Sequence, residues 1–259
     1  MRSLDELKRK KLWILDMDGT IYLGDRLFPE TIPFLERIKQ CGARYLFYTN
    51  NASRSKDTYV TRLCGMGIPV GEEDIVTSGE TTIQFLQRHR TGKAVYLVGT
   101  PDLEAAFRKG GIELSEKAEI VVVSFDTTLT YEKLNIACRL IREGAEFLST
   151  HPDFNCPVEG GYLPDSGAIC ALVTASTGKM PRYFGKPYDE VVSMIEEKYG
   201  VDRGAMVVVG DRLYTDIAVG AQNGMDSVLV LTGETKREDL AQSKVQPAFV
   251  VDNVGCLLR

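Results

Sequence analysis

The sequence predicts an α/β protein with a doubly wound parallel sheet, and three observations indicate this class. Short apolar runs, such as Leu12–Leu15 and Met206–Val209, are typical of strands buried on both faces of a parallel sheet. These runs alternate with segments whose apolar residues recur at a helical spacing, which is the pattern of β-α-β units. The alternation restarts near Ser78 and later returns to its first form, so we expect an inserted domain.

The first half of the core alternates strands and helices in a regular order. The predicted elements are the strand Leu12–Leu15, a hairpin within Ile21–Pro29, a helix over Glu30–Gln40, a strand over Ala43–Tyr48, and a helix with Tyr59, Leu63 and Met66 on one face. Gly42 is expected to end the first helix, and Ser53 or Ser55 to cap the second. This order is the beginning of a doubly wound sheet.

The inserted segment has an alternation of its own. Its predicted helices are Thr81–His89, Leu103–Lys109, Tyr131–Glu143 and Ile169–Thr177, and its predicted strands are Ala94–Val98, Ile120–Phe125 and Ala145–Ser149. The stretch His151–Gly167 is rich in loop residues. A segment of about 100 residues is a normal size for a small domain. We therefore predict a discontinuous core of residues 1–77 and 181–259, with an α/β cap of residues 78–180.

The second half of the core resumes after the insertion. Its predicted elements are a helix over Tyr188–Tyr199, the strand Met206–Val209, a helix around Asp216–Asn223, a strand over Ser227–Leu231, a helix near Glu238–Gln242 and a strand over Ala248–Val251. The strand Met206–Val209 ends in Gly210 and Asp211, so that a carboxylate follows a buried strand here as it does after Leu15.

Composition excludes several classes of function. The chain of 259 residues has 44% hydrophobic and 26% charged residues, which is typical of a globular protein. Its net charge of −5 argues against broad binding to nucleic acid, because that requires a basic face. The six cysteines have no metal-finger spacing, and we expect reduced thiols in a cytoplasmic protein. The sequence shows no secretory signal and no uncharged apolar run near the roughly 20 residues of a membrane helix, so no membrane partner is expected.

Four polar sites share one position, because each lies at the end of, or just after, a predicted core strand. They are Asp16 with Asp18, Thr49 with Asn50, Lys186, and Asp211 with Asp216. The carboxyl ends of parallel strands meet at one edge of a sheet, where ligands of open α/β sheets bind. The four sites can therefore converge, and together they offer the positioning and charge neutralisation that phosphoryl transfer requires.

The carboxylates can do the chemistry of this transfer. Asp16 is the candidate nucleophile, and Asp18 is placed to protonate the leaving alkoxide and then to take a proton from water. A carboxylate that attacks a phosphate meets a repulsion of about 4 kcal/mol per charge pair at about 4 Å and an effective dielectric constant near 20. Mg²⁺ would offset this repulsion, and its expected ligands are Asp16, the backbone carbonyl of Asp18, and Asp211. Asp216 is expected beside the metal or holding Lys186.

Phosphate recognition is assigned to neutral and basic groups. Thr49 offers a hydroxyl, and the amides of Asn50 and Asn51 open towards the N-terminus of a helix, which favours anions. Lys186 adds a positive charge, and Arg54 is a further candidate for contact with phosphate or substrate.

The motifs DMDGT, TNN, GKP and GDRLYTDI, in this order, resemble those of the haloacid dehalogenase superfamily, and more narrowly those of its branch of NagD and the p-nitrophenylphosphatases. The resemblance covers nearly the whole chain. It implies a Rossmann-like core, Asp16 as nucleophile, Asp18 as acid and base, Thr49 and Lys186 on phosphate, and Asp211 with Asp216 at Mg²⁺. It also implies an α/β cap between the second and third motifs, and it favours a homodimer.

A cap over the site favours small phosphorylated metabolites as substrates. The resemblance implies that cap loops contact the leaving group, and the candidates are His151 in His151–Asp153 and Asp165 in Tyr162–Ile169. A histidine before a proline is also a common turn element, and His89 is expected at the surface. Sugar phosphates, nucleotides, glycerol phosphate and pyridoxal phosphate all remain open as substrates.

Two other functions remain open. A phosphotransferase or phosphomutase would pass the phosphoryl group to an alcohol in place of water. A non-catalytic protein could bind a phosphorylated ligand on the same fold, although Asp16 and Asp18 together argue against this. No G-x-G-x-x-G follows a strand and no Walker A sequence is present, which excludes the common dinucleotide and P-loop sites.

Overall fold

The computed structural model describes residues 3–158 and 161–257. The strands are β1 (Leu12–Leu15), β2 (Tyr22–Leu23), β3 (Arg26–Leu27), β4 (Arg44–Thr49), β5 (Ile75–Thr77), β6 (Val95–Val98), β7 (Ile120–Val123), β8 (Glu146–Ser149), β9 (Asn155–Val158), β10 (Gly161–Pro164), β11 (Arg182–Tyr183), β12 (Met206–Gly210), β13 (Asp226–Val230) and β14 (Phe249–Val251). The α-helices are α1 (Thr31–Gln40), α2 (Lys56–Gly65), α3 (Ser78–His89), α4 (Pro101–Lys109), α5 (Tyr131–Arg142), α6 (Ser166–Thr177), α7 (Asp189–Tyr199) and α8 (Ala218–Gln222). Within the described ranges, no helix has the length and apolar character needed to cross a membrane.

The chain forms two compact units, each with a sheet of its own. The first unit consists of Met1–Thr49, Val60–Val76 and Lys186–Arg259, and the second of Asn50–Tyr59 and Thr77–Gly185. Residues 50–59, 77 and 181–185, which the sequence assigns to the core, belong to the second unit. The domain boundaries at residues 78 and 180 stay a prediction.

The sheet of the first unit has the order β14-β13-β12-β1-β4-β5, and it explains why β1 is apolar throughout. β1 pairs in parallel with β12 on one side and with β4 on the other. Leu12 and Ile14 face a cluster that includes Val191 and Ile195 of α7, whereas Trp13 packs edge-to-face against Phe34 of α1, with ring centroids 5.4 Å apart. Both faces of β1 are therefore buried, and the strand order reverses at β1, where ligands of such sheets bind.

The second unit has a parallel sheet in the order β11-β8-β7-β6, covered by helices. Alternate residues of β7 face opposite sides, as the period of a strand requires. Ile120 and Val122 lie in an apolar cluster with Phe107, and Val121 and Val123 lie in another cluster. β9 and β10 form an antiparallel hairpin outside this sheet. The predicted α/β fold class with parallel sheets is confirmed.

The differences from the predicted elements concern short or exposed segments. The structure adds β5, β11 and the β9–β10 hairpin, the last within the stretch predicted to be loop. β5 has only three residues and β11 only two, too few for a periodic signal, and all four residues of β10 are exposed. The helix predicted near Glu238–Gln242 is a 3₁₀ helix over Arg237–Ala241, and α8 is preceded by a π-helical turn, Leu213–Ile217. Of the two predicted caps, Ser55 accepts from the backbone N–H of Thr58 at 3.3 Å.

Candidate active site

The ends of two neighbouring strands gather three carboxylates within the first unit. Asp16 directly follows β1, and its backbone N–H donates to the carbonyl oxygen of Val209 at 2.9 Å, which continues the β1–β12 ladder. Asp211 directly follows β12, and Asp216 lies in the π-helical turn. One carboxylate oxygen from each of Asp16, Asp211 and Asp216 lies within 4.8 Å of the other two. These three residues and Lys186 are called the acidic cluster below.

Lys186 joins two of the carboxylates. Its ammonium donates to Oδ1 of Asp16 at 2.5 Å, to Oδ1 of Asp216 at 2.6 Å and to the carbonyl oxygen of Tyr48 at 3.2 Å. These bonds use all three donors of the ammonium. Burial alone would lower the pKa of Lys186, but the charges of Asp16 and Asp216 outweigh burial and raise this pKa above its ordinary value. Lys186 is therefore a fixed positive charge.

The two carboxylate oxygens of Asp16 have different surroundings. Burial raises the pKa of Asp16 from 3.8 to about 7, although Lys186 acts in the opposite direction. Its side chain remains 14% exposed, whereas that of Lys186 is 3% exposed. Lys186 holds Oδ1, and none of the described residues donates a hydrogen bond to Oδ2. The lone pairs of Oδ2 are thus available to a ligand.

The two carboxylate oxygens of Asp211 differ in their hydrogen bonding. Its Oδ2 accepts from the backbone N–H of Glu234 at 2.6 Å, but its buried Oδ1 has no hydrogen-bond partner among the described residues. Burial, followed by the charges of Asp16 and Asp216, raises the pKa of Asp211 well above its ordinary value. A buried carboxylate oxygen without a donor is costly unless a cation contacts it.

Two glycines allow the backbone to approach Asp211. A Cβ at Gly19, where φ is +82°, would lie 2.6 Å from Oδ2 of Asp211, and a Cβ at Gly233 would lie 2.0 Å from the same atom. The acidic cluster also carries three carboxylates against one ammonium. Its oxygen donors, its excess negative charge and the unsatisfied Oδ1 of Asp211 together fit a divalent cation of the hard, oxygen-binding kind.

The other predicted residues of the first unit lie on adjoining loops. Asp18 is half-buried and its backbone pairs with that of Tyr22, at the start of the β2–β3 hairpin. Gly19 fixes this turn, since its N–H donates to the carbonyl oxygen of Tyr22 at 2.8 Å and its carbonyl oxygen accepts from Oγ1 of Thr232 at 2.6 Å. Thr49 is the half-buried last residue of β4. Asp18 is thus held two residues beyond Asp16 by a turn bonded on both sides.

Asn50 and Asn51 make their contacts in the second unit. The Asn50 side chain is buried, and its Nδ2 donates to Oδ1 and Oδ2 of Asp153 at 3.3 and 3.4 Å. The carbonyl oxygen of Asn50 accepts from Oγ of Ser78 at 2.5 Å. Asn51 shapes the following turn, because its Oδ1 accepts from the N–H and Oγ of Ser53 at 2.9 and 2.6 Å.

His151 and Asp165 form a buried pair in the same unit. Nε2 of His151 lies 2.8 Å from Oδ1 of Asp165, and Nδ1 lies 2.8 Å from Oγ1 of Thr150 and 3.4 Å from Oγ of Ser78. Asp165 is also the N-cap of α6, with Oδ1 accepting from the N–H of Ser166 at 2.5 Å. The ring of His151 is fully buried, unlike an ordinary turn element. His89 is exposed, as predicted.

The predicted site residues therefore divide between the two units. Asp16, Lys186, Asp211 and Asp216 form the acidic cluster of the first unit, where Asp18 and Thr49 occupy loops, whereas Asn50, Asn51, His151, Asp165 and the exposed Arg54 belong to the second. Their catalytic and binding roles stay predictions. Ser78 and Gly233 were not among the residues predicted from the sequence. Gly233 follows a predicted strand and could have been found by that signal, whereas nothing in the sequence connects Ser78 with Asn50.

Comparisons with known proteins agree with these observations. The family model for haloacid dehalogenase-like hydrolases matches residues 13–113, and a HAD-hydrolase-like model matches residues 183–257. A solved 4-nitrophenylphosphatase from Thermotoga maritima is 44% identical, with a TM-score of 0.94, over 98% of this chain and 97% of that protein. A 5′-nucleotidase of Bacillus subtilis is 35% identical over 96% of this chain and 97% of its own length. An acid sugar phosphatase of Staphylococcus aureus is 34% identical over 94% of this chain and 95% of its own length.

The likeness extends over nearly the whole length of each of these proteins, and solved structures of NagD match as well. The predicted resemblance to the branch of NagD and the p-nitrophenylphosphatases is confirmed. The chain belongs to the haloacid dehalogenase-like hydrolase family.

Proposed function

We propose that this protein is a Mg²⁺-dependent phosphatase that hydrolyses small organic phosphate monoesters through an aspartyl-phosphate on Asp16. The observation that carries the proposal is the acidic cluster. Lys186 holds Oδ1 of Asp16, and none of the described residues donates to the other oxygen of Asp16 or to the buried Oδ1 of Asp211. The relatives named above as phosphatases or nucleotidases support the same class of activity.

In the first half-reaction, Oδ2 of Asp16 attacks phosphorus and the bond between phosphorus and the leaving oxygen breaks. Asp18 gives its proton to that oxygen, so that an alcohol leaves. Lys186 fixes the orientation of Asp16 through Oδ1 and adds positive charge at the site. Thr49 and the amides of Asn50 and Asn51 are the proposed donors to the phosphoryl oxygens, with Arg54 as a further contact.

In the second half-reaction, Asp18 takes a proton from water as the water oxygen attacks phosphorus. The bond between phosphorus and Oδ2 of Asp16 breaks, and inorganic phosphate leaves. The same carboxyl group thus serves as acid in one step and as base in the next, and it returns to its starting protonation state.

The residues proposed to hold Mg²⁺ are Asp16, Asp211 and the backbone carbonyl of Asp18, with Asp216 holding Lys186 and supporting the cluster. When bound, the ion supplies charge that offsets the repulsion between carboxylate and phosphate. Because the raised pKa values of Asp16 and Asp211 reflect burial without a compensating cation, both carboxylates would ionise more easily beside the metal.

The substrate class is proposed from the relatives. A nucleotidase and a sugar phosphatase among them favour nucleoside and sugar monophosphates over larger substrates. The cytoplasmic location, the homodimer and the contact of the cap with the leaving group stay proposals that depend on the sequence and on the family resemblance alone.

The test is hydrolysis of p-nitrophenyl phosphate, with Mg²⁺ or with EDTA. We expect metal-dependent release of p-nitrophenol that Asp16→Asn abolishes. Asp189→Asn is the matched control, because Asp189 lies on α7 with its side chain 56% exposed. Activity that survives Asp16→Asn would overturn the assignment of the nucleophile. Equal amounts of p-nitrophenol and phosphate in the presence of an added alcohol would show hydrolysis, and an excess of p-nitrophenol would show transfer to the alcohol.

A further inference from the structure

The hydrogen bonds around His151 determine where its protons lie. Oγ of Ser78 donates its proton to the carbonyl oxygen of Asn50, which can only accept. Oγ1 of Thr150 donates its proton to Oγ of Ser124 at 2.9 Å. Both hydroxyl oxygens that face Nδ1 of His151 therefore act as acceptors, and Nδ1 must carry a proton.

The other ring nitrogen also faces an acceptor. Nε2 of His151 lies 2.8 Å from Oδ1 of Asp165, which already accepts from the backbone N–H of Ser166. A second carboxylate stands close by, because ligand atoms of His151, Asp153 and Asp165 lie within 4.8 Å of one another. With protons on both nitrogens the ring is an imidazolium, and its charge is balanced by buried carboxylates.

This ring adjoins both groups that hold Asn50. Ser78 binds the carbonyl oxygen of Asn50, and Asp153 binds its side-chain amide. The space beside Asn50 is also filled, since a Cβ at Gly185 would lie 2.7 Å from Oδ1 of Asn50 and 3.2 Å from Cβ of His151. Asn50 begins the turn that follows Thr49, so the contacts that hold its peptide also restrain this turn.

We propose that His151 is a positioning residue, held as an imidazolium by Asp165, that fixes the Asn50 peptide through Ser78 and Asp153. The N–H at Nδ1 occupies a lone pair of Ser78, which keeps the Ser78 proton on the carbonyl of Asn50. A neutral ring with a bare Nδ1 would compete for that proton and release the carbonyl. His151 therefore acts on the phosphate site without touching the substrate, in place of the leaving-group contact that the sequence predicted. Its kinetic consequence rests on the proposed phosphatase function.

The charge on His151 can be measured directly, because the chain has only two histidines. With ¹⁵N-labelled histidine, long-range ¹H–¹⁵N spectra distinguish an imidazolium from either neutral tautomer. At about pH 8, above the ordinary pKa of a histidine side chain, we expect His151 to carry both ring protons, and to lose one of them in Asp165→Asn. A neutral His151 in the wild-type protein under these conditions would overturn the proposal. This measurement does not depend on the enzyme having activity.

The second test uses p-nitrophenyl phosphate with Mg²⁺. In His151→Gln and in Ser78→Ala we expect KM and the inhibition constant of inorganic phosphate to rise together by about tenfold, the size of one lost charge-assisted hydrogen bond. We expect kcat to change by less than about threefold, because a phosphate contact present in both ground and transition states affects KM. His89→Gln, on an exposed side chain, is the matched control and should leave all three constants unchanged.

The double variant His151→Gln with Ser78→Ala separates positioning from mere support of the fold. If His151 acts through Ser78, the double variant should raise KM about as much as either single change. An increase equal to the product of the two single effects, or a fall in kcat alone with KM unchanged, would refute the proposal. If His151→Gln lowers the thermal midpoint of unfolding, Ser78→Ala, which removes a single oxygen, decides the kinetic question. A wild-type protein without activity towards any phosphate monoester would instead refute the proposed function.

Discussion

Lys186→Met tests whether charge or packing makes Lys186 important. The change keeps most of the side-chain volume but removes an ammonium that is bonded to Asp16 at 2.5 Å and to Asp216 at 2.6 Å. Each of these pairs has a gross attraction of about 6 kcal/mol at an effective dielectric constant near 20, most of which offsets the desolvation of the two charges. The net cost of leaving buried carboxylates without their partner is about 3–5 kcal/mol.

The assay is urea unfolding with EDTA present, at about pH 8 and about pH 5. Because burial raises the pKa of Asp16 to about 7, this carboxyl is mostly protonated in the folded protein at the lower pH. We therefore expect a loss of about 3–5 kcal/mol at the higher pH and only about 1–2 kcal/mol at the lower pH. Lys133→Met, which removes one ion pair in the second unit, is the matched control and should keep the hydrolytic rate. Equal losses for Lys186→Met at both pH values would refute the electrostatic reasoning.

Three further predictions follow from the same contacts. The pKa of Asp16 is raised from 3.8 to about 7, so between these pH values the metal-free folded protein holds a proton that the unfolded chain releases. The free energy of unfolding should therefore fall by up to about 4 kcal/mol as the pH rises through this range, since a pKa difference of one corresponds to about 1.36 kcal/mol. Asp16→Asn should remove this part of the pH dependence of stability. Gly233→Ala would place Cβ 2.0 Å from Oδ2 of Asp211, so calorimetric titration should show at least about tenfold weaker Mg²⁺ binding. An unchanged affinity for Mg²⁺ would contradict the proposal that Asp211 is a metal ligand. Gly185→Ala should cost about 1–3 kcal/mol more in urea unfolding than Gly178→Ala, because both glycines have positive φ but only Gly185 has neighbours within reach of a Cβ.

Much of the fold could be predicted because burial on both faces leaves a continuous apolar run in the sequence. Leu12–Leu15 and Met206–Gly210 are such runs, and the structure places them side by side in the middle of a sheet. The edges of the sheets lack this signal. β11 has only two residues, neither of them buried, and β10 is exposed throughout, so neither shows the pattern of a buried strand.

The acidic cluster could be predicted because backbone topology alone determines where strand ends lie. Asp16 and Asp211 each follow a parallel strand, and adjacent parallel strands must end at the same edge. The particular bonds within the cluster could not be predicted in the same way. The sequence alone leaves open whether Asp216 binds the metal or the ammonium of Lys186, and only the distance of 2.6 Å shows the bond to Lys186.

The polar groups around Asn50 illustrate a harder problem, because their pairing depends on the packing of segments far apart in the chain. Asn50 meets Asp153 across 103 residues and Ser78 across 28, and no periodicity in the sequence relates them. A histidine before a proline predicts a turn, yet His151 is buried, because hydrogen-bond partners at both ring nitrogens offset the cost of burying them. Asp165 makes this burial possible, since a single oxygen caps a helix and binds the ring. Neither residue alone specifies the arrangement, so it follows from the fold and then constrains the site.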